Sequence, residues 1–352
     1  MLRWLCCLLL FPVVLSAQSA GGRVVVDSLF SESLTNDFGE ANTRAVSVYL
    51  PPNYEADETR RFPVIYYLHG FLNGHDLTPQ MVEVLDYAIA SNKIPPFILV
   101  SADNRTRIDG SFYSNSGLFG DWETFMAEDL VAYVDATYRT LTDRDSRGIT
   151  GHSMGGYGAL KLAMRYPETF SSVYPLSPGA LAVVGEYGPN STTYRQLGQL
   201  KTMDALMTSY FPKVIVAFAR AWSPNPDKPP FYADIPFEYL GDSLVVHPET
   251  LERWYAEMPL HMIDSHLPQL QSLNAIALDW GRNAGERFTR QCMMFSQRLE
   301  NVGIRHEAEE YIGTHVSGIF TRDGRVPTDM LPFFADHLIF EAGGEARVPR
   351  SR

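Results

Sequence analysis

The residue pattern in this chain that could do chemistry is Gly-x-Ser-x-Gly, which occupies residues 151–155 and has Ser153 at its centre. An apolar run precedes the pattern and a stretch rich in small residues follows it, as expected where a strand turns into a helix. A serine on such a sharp turn is held in a strained backbone conformation, so its hydroxyl projects away from the sheet. Glycines on either side let the neighbouring backbone approach without a Cβ clash. The pattern therefore predicts that Ser153 is a nucleophile.

A serine hydroxyl is a weak nucleophile until a base takes its proton, so the pattern requires a histidine. In folds built around this serine turn, the chain order is serine, then acid, then histidine, and the histidine follows the last strand. His315 lies on a predicted loop after the last strand, whereas His306 opens that strand and His337 lies in the last predicted helix. We therefore predict that His315 is the general base.

The acid of a Ser-His-acid triad is expected just beyond the strand that ends at Gly281. Glu286 is the first carboxylate in the loop that follows and is the favoured candidate. Asp279 is closer to the strand, where it is better suited to accept hydrogen bonds from backbone amides. Asp242 and Asp264 are further alternatives, and a site without an acid is the last one. Glu286 could also be an acidic residue that stabilises the first turn of a helix.

The oxyanion of an acyl-transfer reaction needs two backbone N–H donors. We predict one at Met154, directly after the nucleophile, and the other at Phe71, in the glycine-containing loop after a buried strand. Aromatic side chains supply a candidate substrate pocket, for which we predict Tyr113, Trp122 and Trp222. The acidic and histidine spacings match neither a calcium loop nor a helical zinc site, so no metal and no cofactor is expected.

Strand and helix signals alternate along most of the chain, and the strands are almost entirely apolar. This pattern is typical of strands buried on both faces of a mostly parallel sheet that has helices on both faces. Beside the strand that leads to Ser153, strands are predicted at 62–68, 97–101, 172–177, 274–281 and 306–311, and helices at 79–91, 121–138, 154–166, 287–302 and 328–340. With the serine turn, the predicted fold class is α/β, of the α/β-hydrolase type.

The predicted organisation is one large domain with an insertion. Residues 1–20 read as a signal peptide, because Arg3 precedes a short apolar run and small residues follow it. Residues 21–342 form the α/β-hydrolase domain, within which about 180–272 are predicted as a helical cap insertion, with helical patches near 201–210 and 249–258. Residues 343–352 are predicted to be a flexible tail. The expected localisation is secreted or periplasmic.

The cysteines and the charge narrow the functional classes. Cys6 and Cys7 lie in the predicted signal peptide, which leaves Cys292 without an internal disulfide partner in the mature chain. The formal net charge of −12 over 352 residues disfavours nucleic acid and anionic membrane as partners. No later stretch reaches the about 18 apolar residues of a membrane span, so no stable membrane insertion is expected.

With these residues placed, the chain resembles the secreted branch of the putative-esterase family of α/β-hydrolases, over roughly residues 28–338. That family includes esterase D, which is S-formylglutathione hydrolase, along with feruloyl, acetyl-xylan and enterochelin esterases and mycolyltransferases. The resemblance is carried by Val-Tyr-Leu-Pro-Pro-Asn-Tyr at 48–54, Pro-Val-Ile-Tyr-Tyr-Leu-His-Gly at 63–70, Gly-Ser-Phe-Tyr-Ser at 110–114, Tyr-Arg-Thr at 138–140 and Gly-His-Ser-Met-Gly-Gly at 151–156.

The resemblance implies the same roles for Ser153, His315, Phe71 and Met154. It departs from the family at the acid. Similar sequences usually place an aspartate three residues after the strand-end glycine, where this chain has Ala284. Either Glu286 replaces that aspartate through a shifted loop, or the triad is incomplete.

The expected function is a secreted serine carboxylic-ester hydrolase that works through an acyl-enzyme. Its expected partner is a small-molecule or polysaccharide-linked ester, with feruloyl- or acetyl-type esters as the substrates that the resemblance implies. One alternative is an acyltransferase to a sugar or lipid alcohol. Another is a non-catalytic binding module on an esterase scaffold, which an incomplete triad would favour.

Overall fold

The computed structural model describes residues 21–344. The predicted signal peptide at 1–20 and the predicted tail from residue 345 onward lie outside the described residues. Within that range, no helix combines the length and the apolar character that a membrane crossing requires.

Eight strands form the central sheet, in the spatial order β1-β2-β4-β3-β5-β6-β7-β8. Strands β1 and β2 pair antiparallel, as do β2 and β4, and every other neighbouring pair is parallel. The predicted mostly parallel sheet is therefore confirmed. The strands are β1 (Arg23–Phe30), β2 (Thr43–Leu50), β3 (Val64–Leu68), β4 (Ile98–Ala102), β5 (Arg147–His152), β6 (Ser172–Leu176), β7 (Ala275–Gly281) and β8 (Glu307–Tyr311).

Helices cover both faces of the sheet, as the alternating pattern predicts. The helices outside the insertion are α1 (Pro79–Ala90), α2 (Leu130–Thr137), α3 (Met154–Arg165), α10 (Glu286–Asn301) and α11 (Leu331–His337). A π-helical turn leads into α2 at Phe125–Asp129 and another leads into α11 at Val326–Met330. Alternate side chains of β3 point to opposite faces: Tyr66 lies in the core cluster with α2, α3 and α10, and Ile65 in the cluster with α1 and α11.

The insertion between β6 and β7 is mainly helical. It comprises α4 (Thr192–Gln199), α5 (Met203–Met207), α6 (Tyr210–Trp222), α7 (Pro248–Tyr255), α8 (Pro259–Met262) and α9 (Leu267–Ser272), with a hairpin of Phe237–Leu240 and Ser243–Val246. The sequence pattern predicted a helical patch before α6 and did not predict α6 itself. From its third residue onward α6 is buried, and even its charged residues have internal partners: Lys213 pairs with Asp109, and Arg220 donates to the Phe231 carbonyl.

Buried ion pairs join α3 to the insertion and to the short helical turn Trp122–Thr124 before α2. Lys161 of α3 is fully buried and contacts the carboxylates of Glu123, at 2.6 Å, and Glu257. Arg165 donates to the same two carboxylates. Burial alone would raise the pKa of Glu123, but the charges of Lys161 and Arg165 outweigh it and hold that pKa below its ordinary value. The helix that follows the predicted nucleophile is therefore clamped on two sides.

Candidate active site

The turn from β5 into α3 is as sharp as the sequence pattern predicts. Ser153, directly before α3, has φ 61° and ψ −113°, a region that residues with a Cβ atom rarely adopt. The close approach of β3 explains the glycine two residues later, because a Cβ atom on Gly155 would lie 1.8 Å from the Leu68 carbonyl oxygen. The turn therefore presents Ser153 in the strained conformation expected of a nucleophile.

Backbone hydrogen bonds hold Ser153 in that conformation. Its N–H donates to the carbonyl of Leu176, at 3.1 Å, at the end of β6. Its carbonyl accepts from Gly179 and from Tyr157, each at 3.0 Å. The side chain is partly exposed. The serine is therefore tied to the sheet on one side and to α3 on the other, and its hydroxyl remains available.

The loop after β8 brings His315 to the residue before Ser153. The Nε2 atom of His152 lies 2.9 Å from the His315 carbonyl oxygen, and the two imidazole rings are 4.6 Å apart at their centres. Phe288 stacks on the His315 ring at 3.6 Å. Among the described side chains, Ser153 Oγ makes no hydrogen bond to His315, a contact that often tightens only when substrate binds.

A buried ion pair supports the His315 loop. Arg325 contacts the carboxylate of Asp279 at the end of β7, and its Nε donates to the Ser317 carbonyl at 3.3 Å. The same carboxylate accepts from the Ser177 amide at 2.9 Å. Asp279, an alternative candidate for the triad acid, therefore anchors the loop.

The structure does not bring the favoured acid to His315. Glu286 is 64% exposed at its side chain and pairs with Arg290, one helical turn along α10, at 2.9 Å. The two further alternatives are also engaged elsewhere: Asp242 pairs with Arg195, and Asp264 with Arg298.

The Nδ1 atom of His315 is buried and has no hydrogen-bond partner among the described residues. Ala284, at the position where the family resemblance leads us to expect aspartate, is 8% exposed. Its loop is bound to the His315 loop, because Asn283 donates to the Gly313 carbonyl at 2.9 Å. The arrangement is therefore a serine and a histidine without the carboxylate that normally binds Nδ1.

The charges around His315 oppose its protonation. Burial lowers the pKa of His315 to about 2, and positive charge at His152, Arg287 and Arg325 adds to the effect. The imidazole is therefore neutral at ordinary pH, as a general base must be, but it is a weak base. The imidazolium that would form has cations nearby and no carboxylate to stabilise it.

The two predicted oxyanion donors lie beside Ser153. A Cβ atom on Gly70 would be 3.5 Å from the Cβ of Ser153, which places the loop carrying Phe71 against the serine. Leu72 has φ 72°, and the tight turn is closed by the Asn73 amide, which donates to the Gly70 carbonyl at 3.1 Å. Met154 follows Ser153 directly at the start of α3, and the assignment of Phe71 and Met154 as the two amide donors stays a prediction.

The three aromatic residues predicted to bind substrate are part of the core. Tyr113, Trp122 and Trp222 are at most 5% exposed, and each polar group has an internal partner. Tyr113 donates to the His69 carbonyl, Trp122 to the Phe119 carbonyl and Trp222 to Ser114 Oγ. Buried side chains with satisfied polar groups fill space in the core, and the cavity that Trp122 lines has a volume of only about 10 Å³.

Other side chains, which the sequence analysis missed, pack around His315 and Phe71. Phe288 contacts His315, and Arg287 lies over the Phe288 ring at 4.8 Å. Tyr210 packs against the Phe71 ring, whose centre is 6.2 Å from its own. Arg287 and Phe288 directly follow Glu286, so an aromatic and a cation at the start of that helix were the available signal.

The chain is similar to known esterases in sequence. The family model described as "Putative esterase" matches residues 41–323. The chain is 30% identical over 281 residues to esterase MT1326 of Mycobacterium tuberculosis (strain CDC 1551 / Oshkosh), which covers 77% of this chain and 52% of the relative. It is 30% identical over 164 residues to an endo-1,4-beta-xylanase/feruloyl esterase of Xylanibacter ruminicola, covering 44% of this chain and 22% of the relative. The chain thus spans about half the length of the first of these relatives and about a fifth of the second.

Solved structures share the fold. A ferulic acid esterase matches with a TM-score of 0.61 and 21% identity, over 90% of this chain and 98% of that one. An S-formylglutathione hydrolase from Agrobacterium tumefaciens matches with a TM-score of 0.57 and 18% identity, over 90% and 96%. The predicted α/β-hydrolase fold is therefore confirmed.

Restoring the missing carboxylate should speed ester hydrolysis. Ala284→Asp is expected to raise kcat on p-nitrophenyl acetate by about tenfold or more, because loss of the acid from a complete triad costs about 10⁴. Glu286→Ala is the matched control and should stay within about twofold, since removing an exposed ion pair has little effect. Steady-state kinetics of both variants on p-nitrophenyl acetate distinguish between the two positions for the acid. An unchanged rate in Ala284→Asp together with a large loss in Glu286→Ala would return the acid to Glu286.

The pH dependence should show no acid limb from His315. The base must be neutral to act, and a pKa of about 2 keeps it neutral as the pH falls. The kcat/KM of the natural chain is therefore expected to stay level between about pH 5 and pH 8. In Ala284→Asp the new carboxylate should raise the pKa of His315, so kcat/KM should fall as the pH is lowered. A fall near the ordinary histidine value of about 6.5 in the natural chain would contradict this electrostatic environment.

Proposed function

The chain belongs to the putative esterase family, and on that premise we propose that it hydrolyses carboxylic esters through an acyl-enzyme on Ser153. One observation carries the proposal. Ser153 occupies a strained turn between β5 and α3, at φ 61°, with its backbone held by β6 and α3 and its hydroxyl free. Strain of this kind persists only where the surrounding structure enforces it, and it is concentrated at functional sites.

In the proposed mechanism, His315 accepts the proton of Ser153 as the serine oxygen attacks the ester carbonyl. The amides of Phe71 and Met154 stabilise the tetrahedral oxyanion, and the positive end of α3 favours the same charge. Collapse of the intermediate breaks the bond to the alcohol, which takes its proton from His315. Water then repeats the sequence on the acyl-enzyme and releases the acid.

We propose that turnover is slow, because the site is a Ser-His pair. The His315 imidazolium that forms in the transition state has no carboxylate at Nδ1 and lies near Arg287 and Arg325. Without the acid, a triad retains about 10³- to 10⁴-fold catalysis over water, from the oxyanion hole and from substrate binding. The oxyanion donors would therefore supply most of the acceleration.

The unpartnered Nδ1 atom also supports a second candidate. In that case the chain has an esterase scaffold and binds esters, but Ser153 does not hydrolyse them. Ala284 is the residue on which this candidate depends, because aspartate at that position would complete the triad. The two candidates differ in whether Ser153 reacts as a nucleophile.

For the ester, we propose an acyl group of the feruloyl or acetyl type. A structure of the same fold is titled a ferulic acid esterase, and a relative in sequence is named a feruloyl esterase. A panel of feruloyl, acetyl-sugar and short-chain aryl esters on the purified chain would rank them. When a competing sugar alcohol is added to the same assays, free acid as the product indicates hydrolysis and a new sugar ester indicates acyl transfer.

We also propose that the protein is exported, on the basis of the sequence of residues 1–20. Expression of the complete chain in a bacterial host should yield periplasmic or extracellular protein whose N-terminus, read by sequencing, begins between Gln18 and Gly21. Cytoplasmic protein that retains Met1 would contradict this proposal.

Removal of the nucleophile should abolish turnover. Ser153→Ala is expected to reduce hydrolysis of p-nitrophenyl acetate to background, because no acyl-enzyme can form. A fluorophosphonate should label the natural chain at Ser153 and should not label Ser153→Ala, as read by intact mass. Labelling without turnover would favour the second candidate in a form that acylates only. Wild-type rates in Ser153→Ala would overturn the proposed function.

A further inference from the structure

His152, the residue before the proposed nucleophile, contacts the proposed base directly. Its Nε2 atom lies 2.9 Å from the His315 carbonyl oxygen, and the centres of the two imidazole rings are 4.6 Å apart. A carbonyl oxygen can only accept a hydrogen bond, so Nε2 carries the proton and donates it. His152 therefore joins the base to the residue that is covalently bonded to Ser153.

The donor side of this contact is fixed by the sheet. His152 is the last residue of β5, where it pairs with Leu176 of β6, and the Ser153 amide donates to the Leu176 carbonyl at 3.1 Å. Burial lowers the pKa of His152 to about 4, so its ring is neutral at ordinary pH. A neutral imidazole has a single N–H group, and here the His315 carbonyl accepts it.

The acceptor side has few other restraints. Among the described residues, His315 makes one hydrogen bond to the protein, and it is the bond that its carbonyl accepts from His152. The buried Nδ1 atom of His315 has no partner in that range. Phe288 stacks on the ring, with the centres 3.6 Å apart. A stacked contact defines the plane of a ring and restricts its position within that plane less.

The neighbouring residues of the loop are anchored separately. The Tyr311 hydroxyl donates to the Thr314 carbonyl at 2.9 Å, and the Thr314 amide donates to Ser317 Oγ at 2.9 Å. Arg325 donates to the Ser317 carbonyl at 3.3 Å. These bonds restrain the residues before and after His315, and none of them reaches His315 itself. The position of the base relative to the serine therefore depends on its contact with His152.

We propose that His152 is a positioning residue for ester hydrolysis, and that its Nε2–H bond to the His315 carbonyl sets the distance between the base and the nucleophile. This inference rests on the proposed function and deepens it. In a complete triad, the acid holds the histidine through Nδ1. Here the histidine beside the serine holds the main chain of the base instead. Without this bond the His315 loop can shift, and a displacement of about 1 Å can cost about 100-fold in rate.

The test separates the hydrogen-bond donor from the ring that carries it. His152→Phe keeps an aromatic ring and removes the N–H group. Its kcat on p-nitrophenyl acetate is expected to fall by about 10- to 100-fold, with KM within about twofold, because the base is displaced and substrate binding is not. His152→Gln offers an amide N–H at a similar reach and should restore kcat to within about threefold of the natural chain. His152→Ala removes both the ring and the donor and should lose at least as much as His152→Phe.

His306→Phe is the matched control. His306 also uses its Nε2 atom for a hydrogen-bonding contact, at 2.8 Å from Ser296 Oγ, but it directly precedes β8, whereas His315 follows that strand. Its kcat should stay within about twofold of the natural chain. Equal losses in His152→Phe and His152→Gln, or an unchanged kcat in His152→Phe, would overturn the inference and leave the proposed function standing. If thermal unfolding shows that His152→Phe does not fold, His152→Ala against His152→Gln gives the same comparison.

A second readout does not depend on turnover. In the natural chain, the nitrogen-15 chemical shifts of the His152 ring, assigned by comparison with His152→Gln, should be those of the neutral tautomer with its proton on Nε2. A proton on Nδ1 alone would overturn the inference, because Nε2 could not then donate to the His315 carbonyl.

Fluorophosphonate labelling connects the two readouts. The labelling rate of Ser153 should fall in His152→Phe by about the same factor as kcat and should recover in His152→Gln. If the natural chain neither hydrolyses p-nitrophenyl acetate nor reacts with the fluorophosphonate, the proposed function fails and the inference fails with it.

Discussion

The strained backbone at Ser153 is the constraint on which the rest of the site depends. A φ of 61° is unfavourable for a residue with a Cβ atom, so it persists only because the neighbours leave no alternative. β3 approaches so closely that only glycine fits at position 155, and hydrogen bonds to Leu176 and Gly179 hold both sides of the turn. The buried charges of Lys161 and Glu123 then fix the helix that follows. The fold thus stores strain at one residue and supports it from the sheet, the helix and the insertion.

The imidazole of His315, the proposed base, is held by packing and not by a carboxylate. Phe288 covers one ring face, His152 contacts the ring and the main chain, and the Asp279–Arg325 pair supports the loop from below. The contacts that position His315 therefore do not also raise its pKa. In a complete triad the acid both orients the histidine and stabilises its protonated form. Here the orientation is supplied by apolar contacts, and the stabilisation of charge is absent.

The insertion is part of the same arrangement. Its helix α6 is buried against the core over most of its length, where Trp222 stacks on Phe218 and bonds to Ser114. The start of α6 contacts the loop after β3, where Tyr210 packs against Phe71. The aromatic side chains of the insertion therefore have two roles. Most of the aromatic side chains pack in the core, and Tyr210 at the start of α6 packs against the loop after β3.

The sequence by itself determined the elements and the reactive turn, because these depend on local patterns. Strand and helix periodicity predicted the mostly parallel sheet, and Gly-x-Ser-x-Gly predicted the conformation of Ser153. The tertiary structure alone decided where side chains point and what covers them. Trp122 and Trp222 resembled pocket residues but are buried by elements distant in sequence. Glu286 is close to the expected position of the acid along the chain, yet its carboxylate meets Arg290 one turn along the same helix. The type of an apolar or acidic residue does not show whether it lies in the core, in a pocket or on the surface. Which of these it occupies depends on neighbours that only folding brings together.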